Sequence, residues 1–84
     1  MAAEQTPTTV MYIHYPGGAS IGIYTATVTS DDWVKLTDFT DILNWYVIDV
    51  AANTEATATQ GTNVLTITQA GLVTAKILIY AQGA

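Results

Sequence analysis

Four of the seven carboxylates fall between positions 31 and 41: Asp31, Asp32, Asp38 and Asp41. Calcium takes about six to eight oxygen ligands, and clustered aspartates can supply several. The spacing matches no calcium loop, because the required glycine and terminal glutamate are missing. Ser30-Asp31-Asp32 and Thr37-Asp38 read instead as caps and turns, where short side-chain oxygens accept free backbone N–H groups. A cation role for the cluster stays open on sequence alone. Asp49 is the one carboxylate in an apolar context, between Ile48 and Val50. A general acid needs such a setting to raise its pKa, and it also needs a partner. No partner is evident for Asp49, so hydrogen bonding to backbone or to a neighbouring subunit is the better reading.

His14 and Ser20 are the remaining pair with chemical potential, as base and nucleophile. The chain has no Gly-x-Ser-x-Gly elbow and no orienting carboxylate at a telling position. His14 reads as a strand residue between Ile13 and Tyr15. The aromatics Tyr12, Tyr15, Tyr24, Trp33, Trp45, Tyr46 and Tyr80 have two readings: sugar-stacking surfaces, or core and interface. Trp45 and Tyr46 are adjacent in an apolar strand, which favours the second. We therefore expect no catalytic residue, no metal ligand and no cofactor, and read the chain as non-enzymatic.

Composition bears on partners. Half of the 84 residues are hydrophobic, while charged residues are 11%. Average soluble domains carry about 25% charge. The basic residues are Lys35 and Lys76 alone, and the net charge is −5. Nucleic-acid binding needs cations to displace counterions from phosphates, so it is excluded. Anionic membrane surfaces are disfavoured for the same reason, and no apolar run approaches the ~20 residues of a membrane span. Met1–Pro7 has neither the basic nor the apolar region of a signal peptide, so we expect folding in a cytoplasm. Cysteine is absent, which removes disulfides and Cys-based zinc sites. A domain this small usually needs a further stabilising device, and oligomerisation is the one left.

The elements that would position these residues are strands. Residues 1–9 are polar, carry Pro7, and read as a flexible N-terminal arm; residues 10–84 read as one β domain. Strands are expected at Val10–Tyr15, Ser20–Thr29, Trp45–Ala51, Glu55–Gln60, Val64–Gln69 and Leu72–Ala81. Turns are expected at Pro16-Gly17-Gly18, Asn53-Thr54, Gly61-Thr62-Asn63 and Ala70-Gly71. Trp45–Ala51 reads as buried on both faces. Gly22 marks a bulge or a close backbone approach. Phe39, Ile42 and Leu43, at i, i+3 and i+4, predict a short helical insertion within about 30–44. The fold class is all-β: a small antiparallel sandwich or barrel of about seven short strands. Core candidates are Ile23, Trp45, Val47, Leu65, Ile67, Ile77 and Ile79. Interface candidates are Thr6, Pro7, Thr8, Thr9, Trp33, Leu78 and Tyr80. The last strand is apolar on both faces, so one should fill the core and the other a subunit contact.

The stretch from Ile23 to Gln82 carries a resemblance. It runs through Ile23-Tyr24-Thr25-Ala26-Thr27-Val28-Thr29, Asp32-Trp33-Val34 with Leu36, and Phe39. It continues with Trp45-Tyr46-Val47-Ile48-Asp49-Val50, Asn63-Val64-Leu65-Thr66-Ile67-Thr68 and Leu78-Ile79-Tyr80. It resembles small Thr/Ala-rich β proteins among the virion structural proteins of tailed bacteriophages, some of which are capsid decoration (cement) proteins. The resemblance is one of style and transfers no catalytic residue. It implies a virion location on the outer head surface, binding to the major capsid protein, and homo-oligomers with a trimer favoured. The alternatives are a tail, neck or fibre component, or a small carbohydrate-binding module.

Overall fold

Threonine alternates with valine, isoleucine and tyrosine over much of the chain, a pattern suited to a pleated surface with one covered face. The computed structural model describes residues 2–15 and 19–84. It contains eight strands: β1 (Thr8–Ile13), β2 (Ser20–Val28), β3 (Trp33–Lys35), β4 (Ile42–Asp49), β5 (Thr54–Glu55), β6 (Ala58–Gln60), β7 (Val64–Ile67) and β8 (Ala75–Gly83). They form a five-stranded sheet, β1-β2-β8-β4-β5, and a three-stranded sheet, β3-β7-β6. Every strand pairing is antiparallel. This is the small β-sandwich that the patterning predicts.

The core lies between the sheets. The larger sheet contributes Tyr24, Ala26 and Val28 from β2, Ile42 and Val47 from β4, and Ile77, Ile79 and Ala81 from β8. The smaller sheet faces them with Val34, Leu65 and Ile67, and the connections add Leu36, Phe39, Ala56 and Leu72. Five of the seven sequence-predicted core residues are fully buried: Val47, Leu65, Ile67, Ile77 and Ile79. Ile23 differs. It is half-buried, because Gly22 and Tyr24 take the inward positions of β2 and turn Ile23 outward. Trp45 is also half-buried; it packs at the margin of the core, and its indole N–H donates to Gln60 Oε1 at 3.1 Å.

Aromatic packing fixes one part of the core. Phe39 meets Tyr12 and Tyr24 edge to face, at centroid distances of 5.8 and 6.3 Å. The Tyr24 hydroxyl donates to Asp38 Oδ2 at 2.9 Å, and the Tyr12 hydroxyl to the Asp38 carbonyl at 3.1 Å. Gly22 is a close approach, not a bulge: a Cβ there would lie 2.7 Å from Tyr24 Cζ. Burial, and then the Asp38 carboxylate, push the Tyr24 hydroxyl well above the ordinary tyrosine range, so it stays a hydrogen-bond donor.

Four local expectations are corrected. No helix forms among the described residues within 30–44. Trp33, Val34 and Lys35 instead pair with Thr66, Leu65 and Val64, and Phe39 N–H closes a turn on the Leu36 carbonyl at 3.1 Å. Phe39 and Ile42 do point inward, but Leu43 is exposed on β4, so the helical spacing came from a turn running into a strand. Non-local pairing overrode local periodicity, as it commonly does in sheets. β4 is not buried on both faces, since Tyr46 is exposed. Thr54–Glu55 and Ala58–Gln60 belong to different sheets, with Ala56 buried where the chain crosses. The last strand begins at Ala75; Val73 lies outside it and is exposed. The Pro16-Gly17-Gly18 turn lies outside the described residues.

Thr74 has φ of 46°, in the left-handed region that a β-branched side chain tolerates poorly. Such a position stores about 1–3 kcal/mol of strain, and asparagine tolerates it far better. We expect Thr74→Asn to stabilise the protein by roughly 1 kcal/mol in urea unfolding. A second expectation compares Phe39 and Trp45. Phe39→Ala should cost about 3–5 kcal/mol, whereas half-buried Trp45→Ala should cost clearly less and leave a folded protein. Equal losses in the same unfolding experiment would contradict this core.

Candidate functional site

The sequence-predicted chemical residues are dispersed into structural roles. Asp32 is buried and holds the N-terminal segment. Its Oδ1 accepts from Ala3 N–H at 3.0 Å; its Oδ2 accepts from Gln5 Nε2 and Thr29 N–H, each at 2.9 Å. Those bonds, led by the one from Thr29, hold its carboxyl below the usual aspartate range. Asp38 accepts from Tyr24, Asp31 is exposed in a turn at φ 75°, and Asp49 Oδ1 accepts from Ala51 N–H at 3.2 Å. The aspartates therefore do not converge, and no group of three or more potential metal ligands occurs among the described residues.

The segment read as a free arm is docked. Gln5 N–H donates to the Trp33 carbonyl at 2.8 Å, Trp33 N–H donates to the Ala3 carbonyl at 3.1 Å, and Glu4 forms a parallel bridge with Trp33. Thr8 and Thr9 already belong to β1. The polar composition suggested a loose tail; the buried Asp32 supplies the partners that tie it down. Trp33 is thereby a half-buried residue of β3, bonded through its backbone to the segment that leads into Thr6 and Pro7 and apart from Leu78 and Tyr80 of β8. Thr6 and Pro7 form the link between the docked segment and β1.

His14 and Ser20 do meet, with His14 Nδ1 and Ser20 Oγ 2.9 Å apart. Ser20 is buried, however, and among the described residues no carboxylate bonds to His14. A nucleophile must reach its substrate, and this hydroxyl is covered. The bond ties the end of β1 to the start of β2.

The feature that no packing within the chain explains is the outer face of the five-stranded sheet. The registers lay its side chains out in transverse rows. One row reads Met11, Ile23, Tyr80, Tyr46 across β1, β2, β8 and β4. The next reads Ile13, Ile21, Gln82, Asn44. On the other side lie Thr8, Thr25, Leu78, Ile48 and the β5 residue Glu55. Met11, Tyr46 and Tyr80 are 40%, 45% and 40% exposed. Ile13 and Ile21 are also exposed, and Ile23, Leu78 and Ile48 are half-buried. Beside Tyr46 and Tyr80 is a shallow depression of about 200 Å³, edged by Asn44 and Gln82. Lys76 and Glu55 are the charged groups on this face, one at its end and one at its edge.

The total accessible surface, 4760 Å² for 8.9 kDa, is what a monomer of this mass should have, about 4,800 Å². The apolar excess of the composition therefore reflects no looseness. Of the ten exposed large apolar side chains among the described residues, five share this face: Met11, Ile13, Ile21, Tyr46 and Tyr80. Leu78 and Tyr80, expected at an interface, sit at the middle of it. Met11, Ile13, Ile21, Tyr46 and Ile48 were missed. Their signal was apolar residues on both parities of β1, β2 and β4, and only the register shows that they share a surface.

Comparison with family models, with curated proteins and with solved structures gives no match. No helix of the described residues is long and apolar enough to cross a membrane.

Asp32 generates a pH expectation. Its folded pKa lies below the unfolded value, so the docking is intact at neutral pH. It is lost as pH falls through the ordinary aspartate value, about 3.9, and on through the lowered folded value. Hydrogen exchange at Gln5 and Trp33 should accelerate over that range before the core opens. Asp32→Ala should give the fast exchange already at pH 7; slow exchange in that variant would refute the role of the carboxylate.

Proposed function

We propose that this protein is a non-enzymatic structural subunit of a phage virion, most closely of the capsid decoration type, bound to the outside of the head and stabilising it. One observation carries the reading: a charge-poor apolar sheet face that the chain's own residues leave open. Contiguous apolar surface of this extent on a small protein marks contact with protein, and Tyr, Ile and Met are suited to the centre of such contacts. The occupant is another subunit of the same particle. The resemblance in sequence style supplies the particle, and the acidic charge suits an outer position, away from DNA. A tail, neck or fibre subunit would use the same surface in the same way.

A second reading, a small carbohydrate-binding module, draws on Tyr46 and Tyr80 side by side with the Asn44 and Gln82 amides next to them. Ring faces and paired amides suit a sugar. The adjoining Met11, Ile21, Ile23 and Leu78 do not, and they favour a protein partner.

The test uses phage heads assembled from purified major capsid protein of the phage that encodes this chain. Added protein should co-sediment with the heads to saturation and raise the temperature at which they open. Heads that sediment without it would refute the decoration reading. Saturable binding on a glycan array would favour the second.

A further inference from the structure

We infer that the outer face of the five-stranded sheet is closed by a second copy of this chain. The two copies stack outer face to outer face, about a two-fold axis running along the strands between β2 and β8. This rests on the assembly reading above and names the occupant of its surface.

Area comes first. The face spans β1, β2, β8 and β4, of six, nine, nine and eight residues, at ~4.8 Å between strands and ~3.3 Å per residue. That gives about 510 Å² in projection, so two copies together cover about 1,000 Å², the size a specific interface needs to clear. One copy of this sheet is thus large enough to hold another.

Charge comes second. At −5, two copies repel unless the contact itself is nearly neutral. The proposed axis reverses the order of strands while keeping the rows level. Lys76 then faces Thr27 of the second copy, and Glu55 falls outside its β1. No like charges oppose one another.

Shape comes third. The same reversal sets Met11 over Tyr46 and Ile23 over Tyr80, each contact made twice. Thioether on aromatic ring and aliphatic on aromatic ring are favourable apolar pairs. Stacked sheets cross at about 30°, which swings the strand ends apart and leaves Asn44 and Gln82 at a wetted rim. A contact of this kind uses the same patch on both partners and closes at two copies. It yields a dimer, where the sequence resemblance implies a trimer.

The experiment exploits the reversal. Met11→Glu and Tyr46→Lys alter side chains already 40% and 45% exposed, so each variant should still melt cooperatively, at the temperature wild type approaches on dilution. Mass is read by sedimentation equilibrium at high micromolar concentration. Wild type should be a dimer, and each variant alone should be a monomer. An equimolar mixture of the two should return to dimer, because the carboxylate introduced on β1 of one copy then faces the ammonium introduced on β4 of the other. If both variants fail to fold, Thr25→Lys on the same face replaces them and should also give a folded monomer. A wild-type monomer, a wild-type trimer, variants that stay dimeric, or a mixture that stays monomeric would each overturn the inference. A wild-type monomer that still saturates phage heads would overturn it and leave the decoration reading standing.

Discussion

β8 is hydrogen-bonded along both edges: to β2 over its full length, and to β4 from Ile77 to Gly83. It is the middle strand of the larger sheet, so that sheet has a continuous register only once β8 has inserted. Ile77, Ile79 and Ala81 then point into the sandwich, and Leu78 and Tyr80 point out of it. The same insertion that completes the core creates the outer surface. Gly83 shows how tight the fit is, since a Cβ there would lie 2.9 Å from the Phe39 ring and 3.1 Å from Ile42 Cα.

One three-stranded sheet cannot cover both faces of a five-stranded one. The smaller sheet covers the inward side, and the connections carrying Leu36, Phe39, Ala56 and Leu72 extend that cover. No other described element covers the other side. In a sandwich whose outer face met water, the outward positions would be polar, as Thr25, Thr27 and Lys76 are at one end. The row from Met11 to Tyr46 breaks that rule without interruption across four strands. Such a violation is expected at a functional surface, and it is the physical basis for reading this chain as an assembly subunit.

Three of the seven carboxylates, Asp32, Asp38 and Asp49, accept hydrogen bonds within the fold. Asp32 gathers the N-terminal segment and the Thr29 turn, and Asp38 receives the Tyr24 hydroxyl. Buried polar groups are tolerable only when satisfied, and no buried side-chain nitrogen or oxygen among the described residues lacks a partner. Edges are managed as well. The docked Glu4 segment caps one edge of the smaller sheet, the β5 edge is two residues long, and the bulge at Val10 bends β1. Each blunts uncontrolled strand pairing, which directs association to the face.

By itself the sequence determined the β class and the inward residues of the later strands, because period-2 alternation in Val64–Ile67 and Ala75–Ala81 is local information. It also determined that some apolar surface must go uncovered, since composition needs no geometry. It misplaced what depends on distant partners. The helical spacing at Phe39, Ile42 and Leu43 gave way to pairing of β3 with β7, about thirty residues away. The polar N-terminus found its anchor in Asp32, twenty-nine residues from Ala3. Ile23 and Tyr24 are both apolar neighbours, and only the packing of Tyr24 over Gly22 decides which one faces inward. The row of Met11, Ile23, Tyr80 and Tyr46 is drawn from four strands and exists only in the register. A surface of that kind is a property of pairing between segments, and tertiary structure alone decides it.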